Sequence, residues 1–295
     1  MPYQAFMLWF LLALNTALFT ACGDALSKHY LRHLGTPSMV MARILGPSVI
    51  FLPVLLFWPW PELSQSFWKT IAILYPLETI AILCYMEAIR ISPLSLTVPY
   101  LAFTPAFIIL TGYVILGEKL STAGTFGIFL IVCGSYFLNL SLARYGFWHP
   151  LKAIFKERGS VLMLLVAFIY AFTSVLLKVA IKHSERFFFA IFYYGFLGIF
   201  VALALTLFCR QTPWTVFKNA PKGASLVSIS QAVAAVCHVW AISLAPAAYM
   251  IAVKRLSVLF GVVIGGIFFG EKAFGERLFG AILMLAGVFL IALSG

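Results

Sequence analysis

The sequence predicts an all-α integral membrane protein with ten transmembrane helices, arranged as two inverted five-helix repeats. Three observations lead to this fold class: an apolar composition, ten long apolar segments, and a match between the two halves of the chain. Of the 295 residues, 63% are hydrophobic and 10% are charged, whereas soluble domains are about 45–50% apolar and about 25% charged. Because every backbone polar group must be satisfied inside a bilayer, long apolar runs predict spanning helices.

The ten apolar segments occupy most of the chain. The first begins directly after Gln4 and has no basic residue before it, so we interpret it as a span rather than a cleaved signal peptide. The longest link, 141–159, is aromatic and basic and is predicted to lie on the membrane surface. The predicted spans are 4–23, 38–57, 68–89, 94–116, 122–140, 161–181, 187–208, 224–244, 247–269 and 275–294.

A self-match at a constant offset of 153 residues relates the two halves. The segment that starts at Ala88 aligns without a gap on the segment that starts at Ala241. Chance matches of Leu, Ile and Ala are common in apolar segments, but matches of Gly, Pro, Glu and Lys in one register are not. The matched pairs are Pro93 with Pro246, Phe107 with Phe260, Gly112 with Gly265, Gly117-Glu118-Lys119 with Gly270-Glu271-Lys272, Gly127 with Gly280, Gly134 with Gly287, and Cys84 with Cys237.

The repeat predicts two five-helix units, 1–145 and 155–295. A weaker match places Lys28 near the end of the first span on Lys178 near the end of the sixth, at a slightly different offset. Since five is an odd number, the second unit must enter the membrane from the opposite side. Inverted repeats of this kind place a substrate site at their interface, near the bilayer midplane.

The net charge of +11 does not indicate nucleic acid here, because the cations are concentrated in the links between apolar segments. Twelve Lys and Arg residues lie in links after odd-numbered spans, and four lie after even-numbered spans. By the positive-inside rule, this tally predicts that both termini lie outside the cell.

The chain resembles the EamA branch of the drug/metabolite transporter superfamily. The resemblance depends on ten spans, a central link, GEK after the fourth and ninth spans, and VKRLSVLFGVVIGGIFFGEK in the ninth, and it covers nearly the whole chain. It implies a multi-pass protein of the inner or plasma membrane that carries out secondary transport, often export, of small metabolites such as amino acids. It also implies termini inside the cell, against the charge tally, so the orientation stays open.

Glu78 is the first candidate site residue, because it lies in the middle of the third span. An ionised side chain at that depth costs at least ~2.5 kcal/mol on insertion scales, so something must offset the cost. A substrate amine or an exchangeable proton would offset it, and so would an interhelical hydrogen bond. Its repeat mate is Gln231, which predicts that both residues face one central cavity.

Lys254 and Arg255 are adjacent in the ninth span, about 100° apart on a helix. Neither is expected to face lipid. We expect one to line the cavity, where it can hold a carboxylate or phosphate, and the other to pair internally or to reach an interface. A structural role in closing one side of the cavity is the alternative.

His238 and Tyr100 complete the candidate substrate-binding set. His238 lies in the eighth span and is the repeat mate of Tyr85; an interhelical hydrogen bond is its simplest role, and a proton relay is the alternative. Tyr100 lies in a span with prolines at 93, 99 and 105. Because proline removes backbone donors, this span should be bent or locally unwound, with carbonyls free to line a cavity.

Other polar residues have structural interpretations. Arg43, near the start of the second span, is predicted to be an anchor that extends to the interface, with a role as a ligand as the alternative. Asp24 and Lys28, four residues apart, are predicted to form a pair at the end of the first span. The GEK triplets are expected to end helices, and the overlapping GxxxG patterns of Gly261, Gly265, Gly266 and Gly270 predict close helix contact within or between protomers.

No enzyme, metal or cofactor signature occurs, and no CxxC pair is present among the five cysteines. The expected partners are a small-molecule substrate and the lipid bilayer, with a proton as a candidate coupling ion, no nucleic acid, and a monomer or homodimer as the assembly. The alternatives are a flippase for a lipid-linked or amphiphilic substrate, an intramembrane enzyme, and a non-transporting scaffold with a packed centre.

Overall fold

The structure of the protein is a computed structural model that describes residues 3–92, 97–137, 157–209, 214–261, 264 and 274–294. These residues are almost entirely helical, and none of them lies in a strand. Residues 141–156 of the central link lie outside the described residues, and so does the second GEK triplet.

Helices correspond to each predicted span, and we number them in the same order. They are α1 (Tyr3–Leu31), α2 (Thr36–Phe57), α3 (Gln65–Ile91), α4 (Thr104–Leu116), α5 (Thr122–Phe137), α6 (Arg158–Lys182), α7 (Arg186–Cys209), α8 (Pro221–Leu244), α9 (Ala247–Lys254) and α10 (Phe274–Ser294). Short 3₁₀ segments, Arg32–Leu34 and Val98–Phe103, follow α1 and precede α4, and a short helix, Thr215–Asn219, precedes α8.

Six of the described helices are long and apolar enough to cross a membrane: α1, α2, α3, α6, α7 and α8. The described parts of α4, α5 and α10 form shorter apolar helices, and a turn at Arg255 and Leu256 interrupts the ninth span. The prediction of a helical membrane protein is confirmed, and the number of ten crossings stays a prediction.

Two pairings of long helices show how the halves fit together. Helix α1 packs along α8, and α6 packs along α3. Because α1 corresponds to α6 and α3 to α8 in the repeat, the two pairings are equivalent by exchange of the halves. Helix α2 packs along its own counterpart α7, and α5 along its counterpart α10. The halves are thus related by an approximate two-fold axis and each completes the other's core.

Glycines allow α5 and α10 to cross closely. A Cβ atom added to Gly127 would lie 2.6 Å from the carbonyl oxygen of Gly287, and one added to Gly134 would lie 2.6 Å from that of Gly280. Since Gly127 corresponds to Gly280 and Gly134 to Gly287, the two contacts exchange under the repeat, and the helices run antiparallel. The residues matched between the halves in the sequence are therefore the ones that meet at this crossing.

The weaker match between Lys28 and Lys178 also has a structural counterpart. Lys28 Nζ donates to the carbonyl oxygen of Ser92, at 3.0 Å, just after α3 ends. Lys178 Nζ donates to the carbonyl oxygen of Ala245, just after α8 ends, and position 245 is the repeat mate of position 92. Each lysine therefore satisfies a carbonyl group at the C-terminus of an equivalent helix.

Glu157 connects the start of the second half to the first. Its carboxylate accepts hydrogen bonds from the backbone N–H groups of Gly159 and Ser160 at the start of α6, and the Ser92 hydroxyl donates to it as well. Burial alone would raise the pKa of Glu157, but the hydrogen bonds from Ser160, Ser92 and Gly159 outweigh it and lower that pKa. The side chain thus serves as a charged N-terminal cap.

The close helix contact predicted from the two GxxxG patterns, within or between protomers, stays a prediction. Among the described residues, nothing lies within 4 Å of a Cβ atom added to Gly261. The other glycines of the two GxxxG patterns, Gly265, Gly266 and Gly270, lie outside the described residues.

Candidate functional site

A cavity of about 100 Å³ lies between the halves, and helices from both of them line it. Five of the six candidate site residues line this cavity, namely Glu78, Gln231, His238, Lys254 and Arg255. Tyr100 is partly buried against the apolar core and is not among the lining residues, although its neighbour Leu101 is. The volume corresponds to about three water molecules in the liquid, so this state accommodates a small solute.

Helix α3 carries Glu78 to the middle of the protein. This 27-residue helix begins at a Ser64 cap, whose hydroxyl accepts from the Phe67 N–H at 3.3 Å. The charged groups that act most strongly on the Glu78 carboxylate are Lys254 and Arg43, and the Thr173 hydroxyl of α6 also interacts with it. Glu78 is therefore compensated by cations from both halves.

The break in the ninth span gives Lys254 and Arg255 different partners. Helix α9 ends at Lys254, and the backbone N–H groups of Arg255 and Leu256 bond three residues back, which tightens the chain into a turn. Lys254 Nζ lies 3.2 Å from His238 Nδ1 on α8. Arg255 is 4% exposed, and its Nη2 donates to the Thr104 hydroxyl at 2.7 Å, at the start of α4.

Both cations line the cavity, whereas the sequence predicted that only one of them would. Arg255 also pairs internally, with Thr104. The contact between His238 and Lys254 joins α8 and α9, as expected for an interhelical hydrogen bond; a role of His238 as a proton relay stays a prediction.

The fourth span is unwound where the prolines predict it. Residues Val98–Phe103 form a 3₁₀ helix, which passes into α4 at Thr104. Pro93 lies outside the described residues. The repeat mates of Phe103 and Thr104 are Leu256 and Ser257, so the two halves depart from α-helical geometry at equivalent depths. The bond between Arg255 and Thr104 joins these two irregular segments.

Gln231 of α8 lies against α1. A Cβ atom added to Gly23 would overlap its side chain, so only glycine at position 23 leaves room for the amide. The Gln231 amide nitrogen is buried and has no hydrogen-bond partner among the described residues. The close fit of its side chain against Gly23 therefore helps to fix the position of this residue.

Arg43 is not the interfacial anchor that the sequence predicted. It is 7% exposed, lines the cavity, and its Nη1 lies 2.6 Å from Asp24 Oδ1. Tyr85 donates to the other carboxylate oxygen, at 2.6 Å, and the Arg43 guanidinium lies 5.0 Å from the centre of the Tyr85 ring. A buried pair with these hydrogen bonds replaces contact with lipid headgroups.

The predicted pair of Asp24 and Lys28 is accordingly wrong. Asp24 faces Arg43 of α2, and Lys28 donates to the backbone carbonyl groups of Ile89 and Ser92 at the end of α3. Helix α1 also continues to Leu31, eight residues beyond its predicted end. It can do so because these polar side chains find partners inside the protein.

The corner between α4 and α5 connects the halves beside the cavity. Gly117 ends α4 in the left-handed conformation, with φ of 68°, as expected for the first GEK triplet. Glu118 is not exposed at an interface. Its Oε1 lies 2.5 Å from Lys178 Nζ, and its Oε2 accepts from the Ala247 N–H, at 3.0 Å.

Comparison with known proteins places this architecture in a family. The model of the EamA-like transporter family matches residues 7–140 and, separately, residues 157–293. The chain belongs to the EamA-like transporter family. This confirms the resemblance found in the sequence and identifies a multi-pass protein of the cell membrane in a family of transporters rather than enzymes.

The fold of this EamA-like protein also occurs in a solved structure. This chain is similar to a solved structure described as "Crystal structure of protein". The TM-score is 0.70, the match covers 99% of each chain, and the sequence identity is 15%. That similarity shows a shared fold alone. No curated protein matches the sequence.

Several residues that line the cavity of this EamA-like protein were not singled out in the sequence. They are Tyr85, Tyr170, Thr173 and Tyr194, and Arg43 was singled out there mainly as an anchor. The repeat contains a signal for one pair: Tyr85 is the mate of His238, and both line the cavity. For Arg43 the signal was the presence of Asp24, the only aspartate in the chain, which a buried arginine needs as a partner.

Proposed function

We propose that this protein is a secondary transporter, with export as the favoured direction, of a small polar metabolite such as an amino acid. Ten transmembrane helices in two inverted five-helix halves would carry the substrate through the central cavity by alternating access. The observation that carries this proposal is the cavity between the halves, with an acid from the first half and two cations from the second. A non-transporting scaffold would have a packed centre instead.

The charges suit a substrate that carries both an amine and a carboxylate. Glu78 would receive the amine. Lys254 and Arg255 are adjacent like charges in a region of low dielectric constant, where their repulsion is strong. A substrate carboxylate between them would relieve this repulsion, and His238 and Gln231 would provide neutral polar contacts. We assign Tyr100 a supporting role through the 3₁₀ segment that presents Leu101 to the cavity.

A proton is the candidate coupling ion, and Glu78 is its candidate carrier. The carboxylate lines the same cavity as Lys254 and Arg43 and interacts electrostatically with both, so its charge affects both cations. Binding of a substrate amine would favour its ionised form, and release would favour its protonated form. Monomer and homodimer both remain compatible with the helix packing described.

The flippase alternative has weaker support. An apolar groove of about 490 Å³ lies on the outer surface of α2, lined by Val49, Leu52, Pro53, Leu55, Leu56, Trp60 and Phe196. It shares no lining residue with the central cavity. An amphiphilic substrate would need a lateral path that joins the two, so we favour a small polar substrate.

Transport by purified protein in liposomes tests the proposal. A panel of amino acids and related zwitterions is offered to wild type, to Glu78→Gln, and to a triple variant with Glu78→Ala, Lys254→Ala and Arg255→Ala. We expect transport of at least one class by wild type, a loss of about tenfold or more for Glu78→Gln, and no transport by the triple variant.

The matched control is Glu87→Gln. Glu87 lies on the same helix α3, but it forms a surface pair with Arg90 at 2.8 Å, away from the cavity, so transport should be unchanged. Transport retained by the triple variant would disprove the cavity assignment. Failure of wild type to bind or transport any member of the panel would count against the substrate class.

A further inference from the structure

Glu118 ties three elements together outside the lining of the cavity. It pairs with Lys178, at the end of α6, and accepts from the first N–H group of α9, at Ala247. Lys178 in turn donates to the carbonyl oxygen of Ala245, just before α9. The side chains of Lys178 and Glu118 are 11% and 17% exposed, so this is a largely buried contact between the halves.

Helix α9 depends on this contact because it has no cap of its own. The residue before it is Pro246, which offers no side-chain cap. The carboxylate of Glu118 therefore compensates the unpaired N–H group and the positive end of the helix from the other half of the protein. The Tyr249 hydroxyl adds a second link, since it accepts from the Ser121 N–H at 3.0 Å and contacts the Ser121 hydroxyl at 3.1 Å.

The eight residues of α9 form a short rod between this contact and the cavity. At 1.5 Å per residue the rod is about 12 Å long. Its first residue, Ala247, bonds to Glu118, and its last residue, Lys254, lies beside His238. The turn at Arg255 and Leu256 follows directly. A movement of the first residue would therefore be transmitted to the last.

We propose that Glu118 is a gate residue that holds α9 against the corner between α4 and α5 and thereby positions Lys254. Release of Glu118 from Lys178 and Ala247 lets α9 shift as a rod, with the turn at Arg255 and Leu256 as the flexible joint that follows it, and this shift opens this end of the cavity. The same shift moves Lys254 relative to His238 and Glu78. This inference rests on the proposed alternating access. It identifies the contact that closes one end of the cavity and the helix that moves when this end opens.

In the first half, Lys28 bonds to the carbonyl oxygen of Ser92 as Lys178 does to that of Ala245. Glu271, the repeat mate of Glu118, lies outside the described residues. The 3₁₀ segment Val98–Phe103 corresponds to residues 251–256, and the equivalent of Lys254 is the apolar Leu101. The Glu118 gate is thus connected through α9 to a charge that the first half lacks at the equivalent position.

Labelling of single cysteines tests the gate without any substrate. The five native cysteines are first replaced by serine or alanine. Two reporters are then introduced separately: Leu177→Cys, beside Lys178 on the cavity wall, and Ser27→Cys, at the equivalent position beside Lys28 in the first half, where the side chain is fully buried. A membrane-impermeant maleimide is applied to right-side-out and inverted vesicles, and labelling rates are compared with and without Glu118→Gln.

We expect Glu118→Gln to raise the labelling rate of the Leu177→Cys reporter roughly tenfold, the effect of losing one charge-assisted hydrogen bond, and from one side of the membrane only. The Ser27→Cys reporter should label no faster. Glu87→Gln, the same substitution in a partly exposed contact with Arg90 and Thr36, should leave the rate at the Leu177→Cys reporter unchanged. An unchanged rate at the Leu177→Cys reporter would overturn the proposal, and so would equal increases at both reporters.

A second variant keeps the gate testable if Glu118→Gln folds poorly. Tyr249→Phe removes only the links to Ser121, and it should raise the rate at the Leu177→Cys reporter in the same direction by a smaller factor. If neither variant changes that rate, the gate is wrong even where transport is intact. If both variants change it while no panel substrate is transported, the gate stands and the proposed substrate class fails.

Discussion

The first and second halves share a scaffold but place different charges at the cavity. At one pair of equivalent positions the first half has Glu78 and the second has Gln231. At two further equivalent positions the second half has Lys254 and Arg255, whereas the first half has Leu101 and Ala102. The scaffold requires residues that let helices cross or end, and these are matched between the halves. The cavity does not need symmetry, and a substrate with two unlike ends needs asymmetry.

The halves also differ in how they stabilise their polar residues. The first half buries a pair of its own, Asp24 with Arg43, which Tyr85 completes. By the register of Lys28 and Lys178, the position equivalent to Asp24 is Ser174, a neutral residue that lines the cavity. Lys178 of the second half pairs with Glu118 of the first, whereas Glu271, the repeat mate of Glu118, lies outside the described residues. The comparison shows that the buried pair of Asp24 and Arg43 has a neutral residue, Ser174, at the position equivalent to its acid.

The largest expected effect follows from breaking the internal pair of the first half. Arg43→Met leaves the Asp24 carboxylate buried without its cation, and we expect a loss of about 3–5 kcal/mol in the free energy of unfolding. Denaturant unfolding of the purified protein in detergent measures it. Ser174→Ala, at the position equivalent to Asp24, should cost less than about 1 kcal/mol.

Adding Asp24→Asn to Arg43→Met removes both charges and should recover part of the loss. Equal losses for Arg43→Met and Ser174→Ala would contradict the proposed difference between the halves.

A transfer of the acid between the halves should have the next largest effect. Glu78→Gln is expected to reduce the initial transport rate by about tenfold. Adding Gln231→Glu, at the repeat mate, should restore part of it, because both residues line the same cavity and glutamate has nearly the shape of glutamine. Initial rates in proteoliposomes provide the measurement. A double variant as slow as Glu78→Gln would show that the position of the acid, and not only its presence, decides transport.

The smallest of these effects concerns the shared crossing of α5 and α10. Gly127→Ala places a Cβ atom against the backbone of Gly287, and we expect overpacking to cost about 1–3 kcal/mol. The same substitution at Gly261, where none of the described residues lies within 4 Å of the added Cβ atom, should be neutral or slightly stabilising. Thermal unfolding of the two variants tests this, and similar transition temperatures would contradict the close crossing.

The sequence predicted much of the scaffold because its signals are local or repeated. Helix α2 ends at Phe57 and α8 at Leu244, as the apolar segments indicated. The 3₁₀ geometry before α4 followed from Pro99 and Pro105, since proline removes the donors that an α-helix needs. The repeat register alone indicated that Glu78 and Gln231 belong together, and both line one cavity.

The residues whose roles the sequence did not predict have partners that lie far away along the chain. Arg43 was predicted to be an interfacial anchor because burial of an arginine depends on an acid elsewhere, and Asp24 was paired instead with Lys28 on its own helix. Glu118 was given only the role of ending a helix, because its two partners lie about 60 and 130 residues further along the chain. No periodicity relates such residues, so only the folded packing reveals them.

By itself, the sequence determined that the protein is apolar, helical and duplicated, because a bilayer requires long apolar helices and a duplication leaves a constant register. It also located the charges that differ between the halves. Only the tertiary structure decided which charges neutralise one another and which remain facing the cavity. A buried ion is stable only beside a compensating group, and that group is selected by the packing of helices rather than by order along the chain.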